Sequence, residues 1–434
     1  MRKWICLMLV LPALAGCNEK VVSHWFTAEK AIAYFSKIEE ACNRDAGKLW
    51  GKNLYGPLMF IERTSRKITA NMPDNEGLLK FKDGVYTGTY PAENIINTTS
   101  IIYGGTTFGM APLPAEEDNY RITIRGIHAL FHSFQKEKGI DPENFNILIM
   151  DEKEARLWMK LEWKALKKAI MSEGEEQTLA IRDALIFRGS NRESYQRYAL
   201  LENKFEAYEG LATFTYMLVG SDNYKEFKTR LLEYLDRIYG FQSYARSYGA
   251  IHGALYACLL YRQGFDFKSI SPDTTDLGRL VKMQYQIELP EKCRDVAGSI
   301  ALHYNINEIY REEDQRLQEI KERLNDRVSN FTERPVVLLE LESPSFDFEP
   351  EDVSYLDTLG TLYHGLRVSD NWGKLTVTEG DCLVSNNYKF IRITAKGLKQ
   401  DRNHASGEGW QIILNDGWEV ARSEQSFFIR KRMY

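Results

Sequence analysis

Apolar and polar positions change their period twice along this chain, from helical to alternating and back, before a final alternating stretch. Residues 26–50 carry apolar side chains at helical spacing (Ala31, Phe35, Ile38, Cys42), the pattern of an amphipathic helix. From Leu58 to about Pro114 come short β-rich runs, LMFIERTSRKITANM, GVYTGTY and TSIIYGGTTFGM. Turn signals at Asp74-Asn75-Glu76-Gly77 and Asp83-Gly84 break them, which predicts a small antiparallel sheet. Helical periodicity returns over about 118–137 and holds through 154–172, 176–188, 192–218, 224–239, 247–262 and a highly charged segment at 307–331. Pro335 stops that last helix. From Val336 onward short alternating segments return, and Asn415-Asp416-Gly417 predicts a hairpin between two of them. The expected fold class is α+β: a mainly helical domain with a small antiparallel sheet, followed by a C-terminal all-β domain. Domain limits at 17–332 and 333–434 follow, with residues 1–16 set apart.

The helix expected at 118–137 carries the chemistry. Ile127, Leu130, Phe131 and Phe134 form its core-facing stripe, while His128, His132 and Gln135 share a neighbouring face. His128-Ala129-Leu130-Phe131-His132 has the frame of the H-E-x-x-H zinc helix, in which two imidazoles reach one ion and the glutamate takes a proton from its water. Here Ala129 stands where that general base belongs. A third protein ligand is chemically required, and Glu209, in AYEGLATFTY, is the first candidate. Glu206, three residues earlier, is a second ligand or the group that orients a histidine. Glu162 is a third choice, with an ion pair to an arginine such as Arg188 as its competing role. For both later glutamates the competing reading is a solvated or ion-paired helix face. His252, among glycines in SYGAIHGALY, is a candidate oxyanion stabiliser together with Tyr248, against the alternative of a packed core histidine. Trp158 and Trp163 read as core.

The beginning of the chain changes the expected address. Arg2 and Lys3, the apolar run Trp4 to Pro12 and the sequence Leu14-Ala15-Gly16-Cys17 make a lipobox-like leader. The expectation is cleavage before Cys17, lipidation of Cys17, and anchoring to a membrane of the bacterial cell envelope, outside the cytoplasm. With 434 residues, 44% of them hydrophobic, the remainder can bury a large core. Without Arg2 and Lys3 there are 54 basic and 61 acidic side chains, a net charge of −7. No basic tract argues for nucleic acid. Cys42, Cys258, Cys293 and Cys382 form no C-x-x-C pair; they are expected as buried thiols, or as a disulfide such as Cys258 with Cys293.

A sheet leading into H-x-x-x-H, followed by helices and Glu-Gly-Leu-Ala at 209–212, resembles the element order of gluzincin metallopeptidases. LWGKNLYGPLMFIERTSRKITAN (49–71), HALFHSFQ (128–135), WMKLEWKAL (158–166), FEAYEGLATFTY (205–216) and LRVSDNWGKLTVTEG (366–380) resemble a family of bacterial secreted and lipid-anchored proteins. Its usual members read H-E-L-F-H and N-E-G-L-A-E-Y. The resemblance implies a zinc site at His128, His132 and Glu209 or Glu206. Three departures bear on activity: Ala129 replaces the base, Tyr208 the asparagine, and Thr213 an acidic residue. The expected function is a catalytically impaired zinc-peptidase-like module that binds a peptide, glycan or envelope protein. The alternative is a divergent zinc hydrolase acting on envelope or extracellular peptides. Ala129→Glu is the substitution expected to rebuild the relation of zinc, water and base.

Overall fold

Thr27 opens the described structure's first helix, α1 (Ala28–Asp45), by accepting the Lys30 amide on its side-chain oxygen. This computed structural model describes residues 26–432 except 64, 92, 93, 95, 114–117, 142, 144, 146, 273–275, 348–352, 357, 358 and 424, so Cys17 and its leader lie outside the described residues. The buried stripe of α1 includes Ala31, Phe35, Ile38 and Cys42, as its spacing predicts.

Six strands follow: β1 (Leu58–Ile61), β2 (Lys67–Ala70), β3 (Lys80–Lys82), β4 (Val85–Thr89), β5 (Thr99–Tyr103) and β6 (Thr106–Pro112). They form one sheet in the order β3-β4-β2-β1-β6-β5. Every pairing is antiparallel except β1 with β6, because the β5–β6 hairpin adds to the far side of β1. Asp83 and Gly84, at φ 52° and 85°, make the tight turn between β3 and β4. β1 is buried on both faces: Leu58 and Phe60 join the main core, Met59 and Ile61 a second cluster under the sheet.

Helix α2 (Asn119–Glu137) lies on this sheet. Gly109 of β6 permits the approach, since a Cβ there would sit 2.8 Å from the Ala129 carbonyl carbon. Ile127, Leu130, Phe131 and Phe134 are buried in the core. The helices α3 (Lys153–Met171), α4 (Gly174–Tyr195), α5 (Ala199–Phe205), α6 (Leu211–Val219), α7 (Tyr224–Tyr239), α8 (Tyr248–Arg262), α9 (Leu277–Gln284), α10 (Arg294–Ala301) and α11 (Ile306–Thr332) follow. The single helix expected at 192–218 is interrupted by a π-helical turn at Glu206–Gly210. Trp158 and Trp163 are core residues.

The chain divides into two compact units, one ending at Glu313 and the other beginning at Asp314, so the division falls inside α11 rather than at 332–333. The reason is apolar. Phe331 packs in one cluster with Val336, Leu362 and Leu383, and Leu324 joins it, so the end of α11 belongs with the strands that follow.

The second unit holds β7 (Val336–Glu340), β8 (Ser345–Asp347), β9 (Val353–Tyr355), β10 (Thr361–Asp370), β11 (Gly373–Val384), β12 (Phe390–Thr394), β13 (Lys399–Asp401), β14 (His404–Gly407), β15 (Trp410–Leu414), β16 (Trp418–Ser423) and β17 (Ser426–Lys431). Its main path runs β13-β14-β15-β11-β12-β7-β17-β16, with β10 joined to β11, β8 and β9. The molecule is therefore α+β, with a strand-rich C-terminal domain. The hairpin expected at Asn415-Asp416-Gly417 does not form: β15 pairs with β11 and β14, and β16 with β17. The turn itself is present, closed by the Trp418 amide on the Asn415 carbonyl at 3.2 Å, while the Asn415 side chain donates to the Asn371 carbonyl. Cys42, Cys258, Cys293 and Cys382 are free and buried, so Cys258 and Cys293 are not joined. Among the described residues no helix is long and apolar enough to cross a membrane.

Candidate metal centre

One face of α2 carries Arg121, Arg125, His128 and His132 on successive turns. The two imidazoles lie 4.5 Å apart between ring centres. Opposite them the π turn presents Glu209, whose Oε2 is 3.6 Å from His128 Nε2. One ligand atom from each of His128, His132 and Glu209 falls within 4.8 Å of the other two. Ligands of a tetrahedral zinc with bonds of about 2.0–2.1 Å stand about 3.4 Å apart, so small side-chain rotations bring this set onto one ion. His128 Nε2 is buried and has no hydrogen-bond partner, as a nitrogen reserved for a cation would be.

The tautomer of His132 is fixed by its neighbour. Gln135 Nε2 donates to the carbonyls of Ala207 and Tyr208 at 3.2 and 2.9 Å. Carbonyls only accept, so Gln135 Oε1 faces His132 Nδ1, 2.8 Å away, and must accept its proton. The lone pair of His132 is thereby left on Nε2. A hydrogen bond of this kind to the other ring nitrogen orients a metal-bound histidine. Burial, aided by the charge of His128, pushes the His132 pKa down to about 4, which keeps the ring neutral. Burial alone would raise the Glu209 pKa, but the neighbouring imidazoles of His128 and His132 hold it below its usual value. The donor set of two imidazoles and one carboxylate suits zinc.

Tyr208 stacks on His132 at 4.5 Å and 18°, and its phenol meets Thr99 of β5. That side of the triad is closed. Ala129 is fully buried in the hydrophobic core, so no proton-accepting group stands at the base position.

Glu206 is not part of the triad. The extra residue of the π turn rotates it inward, where it is fully buried and receives Arg188 at 2.9 and 2.6 Å through two parallel bonds. Glu162 also faces Arg188, at 3.6 Å, and accepts from His252 Nε2 at 2.6 Å and from the Tyr256 hydroxyl. The carboxylate can only accept, so His252 Nε2 carries the proton, and the 3.3 Å approach of Arg188 to that nitrogen is not a hydrogen bond. His252 and Tyr248 are buried on α8 in this interior network, and neither lines the cleft beside His128. Their expected oxyanion role is therefore corrected: both are core residues, His252 bound to Glu162 and the Tyr248 hydroxyl buried without a hydrogen-bond partner among the described residues. α8 comes this close because Gly253 faces Gly210, where a Cβ on Gly210 would lie 2.4 Å from the Gly253 Cα.

His128 opens onto a cleft of about 770 Å³. Tyr216, its ring 5.1 Å from that of His128, forms part of the wall, together with Tyr120, Tyr234 and four arginines. None of these was singled out from sequence, although the arginines at 121 and 125 share the histidines' helical stripe. Compared with known proteins, the chain matches no family model, no curated protein and no solved structure.

Proposed function

We propose that His128, His132 and Glu209 hold a zinc ion and that the cleft beside them captures a ligand without hydrolysing it. The observation that carries this reading is the Gln135 relay, which leaves the His132 lone pair on the nitrogen suited to a metal. Bound there, zinc supplies a Lewis-acid contact for an oxygen or nitrogen of the ligand. Peptide hydrolysis also needs a positioned base, and a base of that kind contributes about 10²–10⁴ in rate. Ala129 has none to offer, Tyr208 closes the neighbouring side, and Asp118 of the cleft is tied to Arg121. The reading is of a metallopeptidase-like domain turned to binding, with a peptide, glycan or envelope protein as its ligand. The leader adds the proposal that Cys17 is lipidated and anchors the domain to the cell envelope.

Metal content of the purified full chain tests the site. About one zinc per chain is expected, lost in His132→Ala and reduced in Glu209→Gln. A wild type that retains no metal after zinc loading overturns the site. Chelator-sensitive cleavage of peptide libraries by wild type, abolished by His132→Ala, overturns the non-hydrolytic reading and favours a divergent zinc hydrolase. In cell fractionation Cys17→Ser should leave the membrane fraction, and unchanged membrane association removes the anchor proposal.

A further inference from the structure

The cleft beside His128 carries a charge the rest of the chain does not. The whole sequence has a formal net charge of −5, yet Arg121, Arg125, Arg230 and Arg237 all line this one hollow, against Asp118 and Glu233. Two of the arginines are already matched: Arg121 pairs with Asp118 at 3.4 Å, and Arg230 takes Glu226 at 2.7 and 3.0 Å. The other two are not. Arg125 is half-buried and donates to the Pro112 carbonyl at 3.1 Å, and Arg237 lies over the Tyr234 ring at 4.8 Å. Among the described residues no carboxylate forms an ion pair with either. Holding a partly buried guanidinium with no carboxylate bonded to it is costly, and Arg125 feels it: burial and the neighbouring Arg121 and Arg63 lower its pKa by more than the charge of Asp118 raises it. The walls between these charges are aromatic and apolar, from Tyr120, Ile124, Tyr216 and Tyr234. A guanidinium is a planar fork that matches carboxylate and phosphate oxygens, and a volume of about 770 Å³ suits a small molecule.

We propose that this cleft binds a small organic oxyanion, a carboxylate or phosphate ester joined to an aromatic or apolar group, with Arg125 and Arg237 as its charge partners. The inference extends the metal-dependent capture reading by naming the ligand's class, and it rests on that reading for the role of His128 in the cleft's lining. The arginines themselves act with or without a metal, so the two can fail separately.

Calorimetric titration of the full chain with phenyl phosphate, benzoate and neutral benzyl alcohol tests it, in zinc-loaded and chelator-treated protein. At least one anion should bind in both forms while benzyl alcohol does not, and binding should weaken as salt is raised. The two anions tell a phosphate ester from a carboxylate. The Arg125→Gln/Arg237→Gln double variant should bind at least about tenfold more weakly, as expected for loss of two charge-assisted contacts. Arg182→Gln, an exposed arginine on α4, should bind as wild type. Circular dichroism and melting of the double variant establish that it folds. Should it fail to fold, single Arg237→Gln, at an exposed position, carries the test with a smaller loss. Equal binding of benzyl alcohol and the anions overturns the proposal. So does undiminished binding in the double variant, or the same loss in Arg182→Gln, which would mark diffuse attraction only. Anion binding in a protein that never retains zinc leaves this inference standing and removes the metal reading; zinc retention without anion binding does the reverse.

Discussion

Ala129 stands at the second position of the H-x-x-x-H frame, where the proposed metallopeptidase-like reading expects a base, and it is enclosed on every side. Its methyl is fully buried, and the backbone of α2 there meets β6 at a distance only Gly109 allows. The substitution that looks restorative from sequence, Ala129→Glu, must place a longer side chain and a carboxyl into that seam. Burying a charge without a partner costs several kcal/mol. We expect Ala129→Glu to lower the melting temperature and to give no chelator-sensitive peptide cleavage. Cleavage that appears in Ala129→Glu and disappears when His132→Ala is added would show that the seam opens. At this scale much was legible. The histidine spacing, the shared face of Gln135 and the competing ion pair of Glu162 with Arg188 all come from helical geometry and charge. The stack of Tyr208 on His132 did not, because which ring meets which is decided by tertiary packing between α2 and a turn some 70 residues away, for which local sequence has no signal.

The π turn at Glu206–Gly210 decides which glutamate meets the histidines. In a regular α-helix residues 206 and 209 share a face. One extra residue in the turn separates them, so Glu206 enters the Arg188 network and Glu209 faces the triad. Periodicity cannot reveal such an insertion, since the apolar pattern on both sides remains helical. The eight-residue helices α9 and α10 escaped for a related reason: two turns are too short to establish a period. The turn is seated against α8 by glycine. A Cβ on Gly253 would lie 2.2 Å from the Glu206 carbonyl oxygen, a rigid backbone atom that cannot step aside. Gly253→Ala should therefore push the turn outward, lower stability by about 1–3 kcal/mol, and weaken zinc affinity by moving Glu209. Gly298→Ala, in α10 with open space around its Cβ, is the matched control and should leave both unchanged or gain slightly in stability. Chelator competition beside thermal melts reads the two effects; unchanged zinc affinity in a destabilised Gly253→Ala would show that the turn does not position Glu209.

Buried and half-buried carboxylates paired with cations recur in both units of the molecule, and together they set its response to acid. In each case burial alone would raise the carboxyl pKa, and the neighbouring basic side chains more than reverse it. Glu162 is held down by His252 and Arg188, Asp276 by Arg188 and Arg192, and Glu313 by Arg156 and Lys160. In the C-terminal unit Arg327 does the same for Asp381. Glu202, Asp45 and Asp183 shift the other way, upward, chiefly through burial. For the first group the folded protein binds protons less readily than the unfolded chain, so their contribution is complete above the unfolded pKa of about 4 and is lost as pH falls below it. The upward-shifted carboxyls contribute with the opposite sign, and their stabilisation is lost as pH rises through their folded pKa values. The depressed set includes carboxylates with close cation partners, Glu313 with Arg156 at 2.8 Å and Asp381 with Arg327 at 2.6 Å, whereas Glu202 of the raised set meets Arg192 at 3.1 Å. Buried His132, held at about 4, refuses a proton that the unfolded chain takes up below about pH 6.5, so we expect the melting temperature to decline gradually from about pH 6.5 and to fall steeply below about pH 4. Thermal denaturation across this range, in metal-free protein so that ligand release does not enter, makes the measurement. A melting temperature that rises on acidification from pH 5 to 4 would mean that Glu202, Asp45 and Asp183 outweigh the paired set, and that the interior ion pairs do not govern the stability of the whole chain.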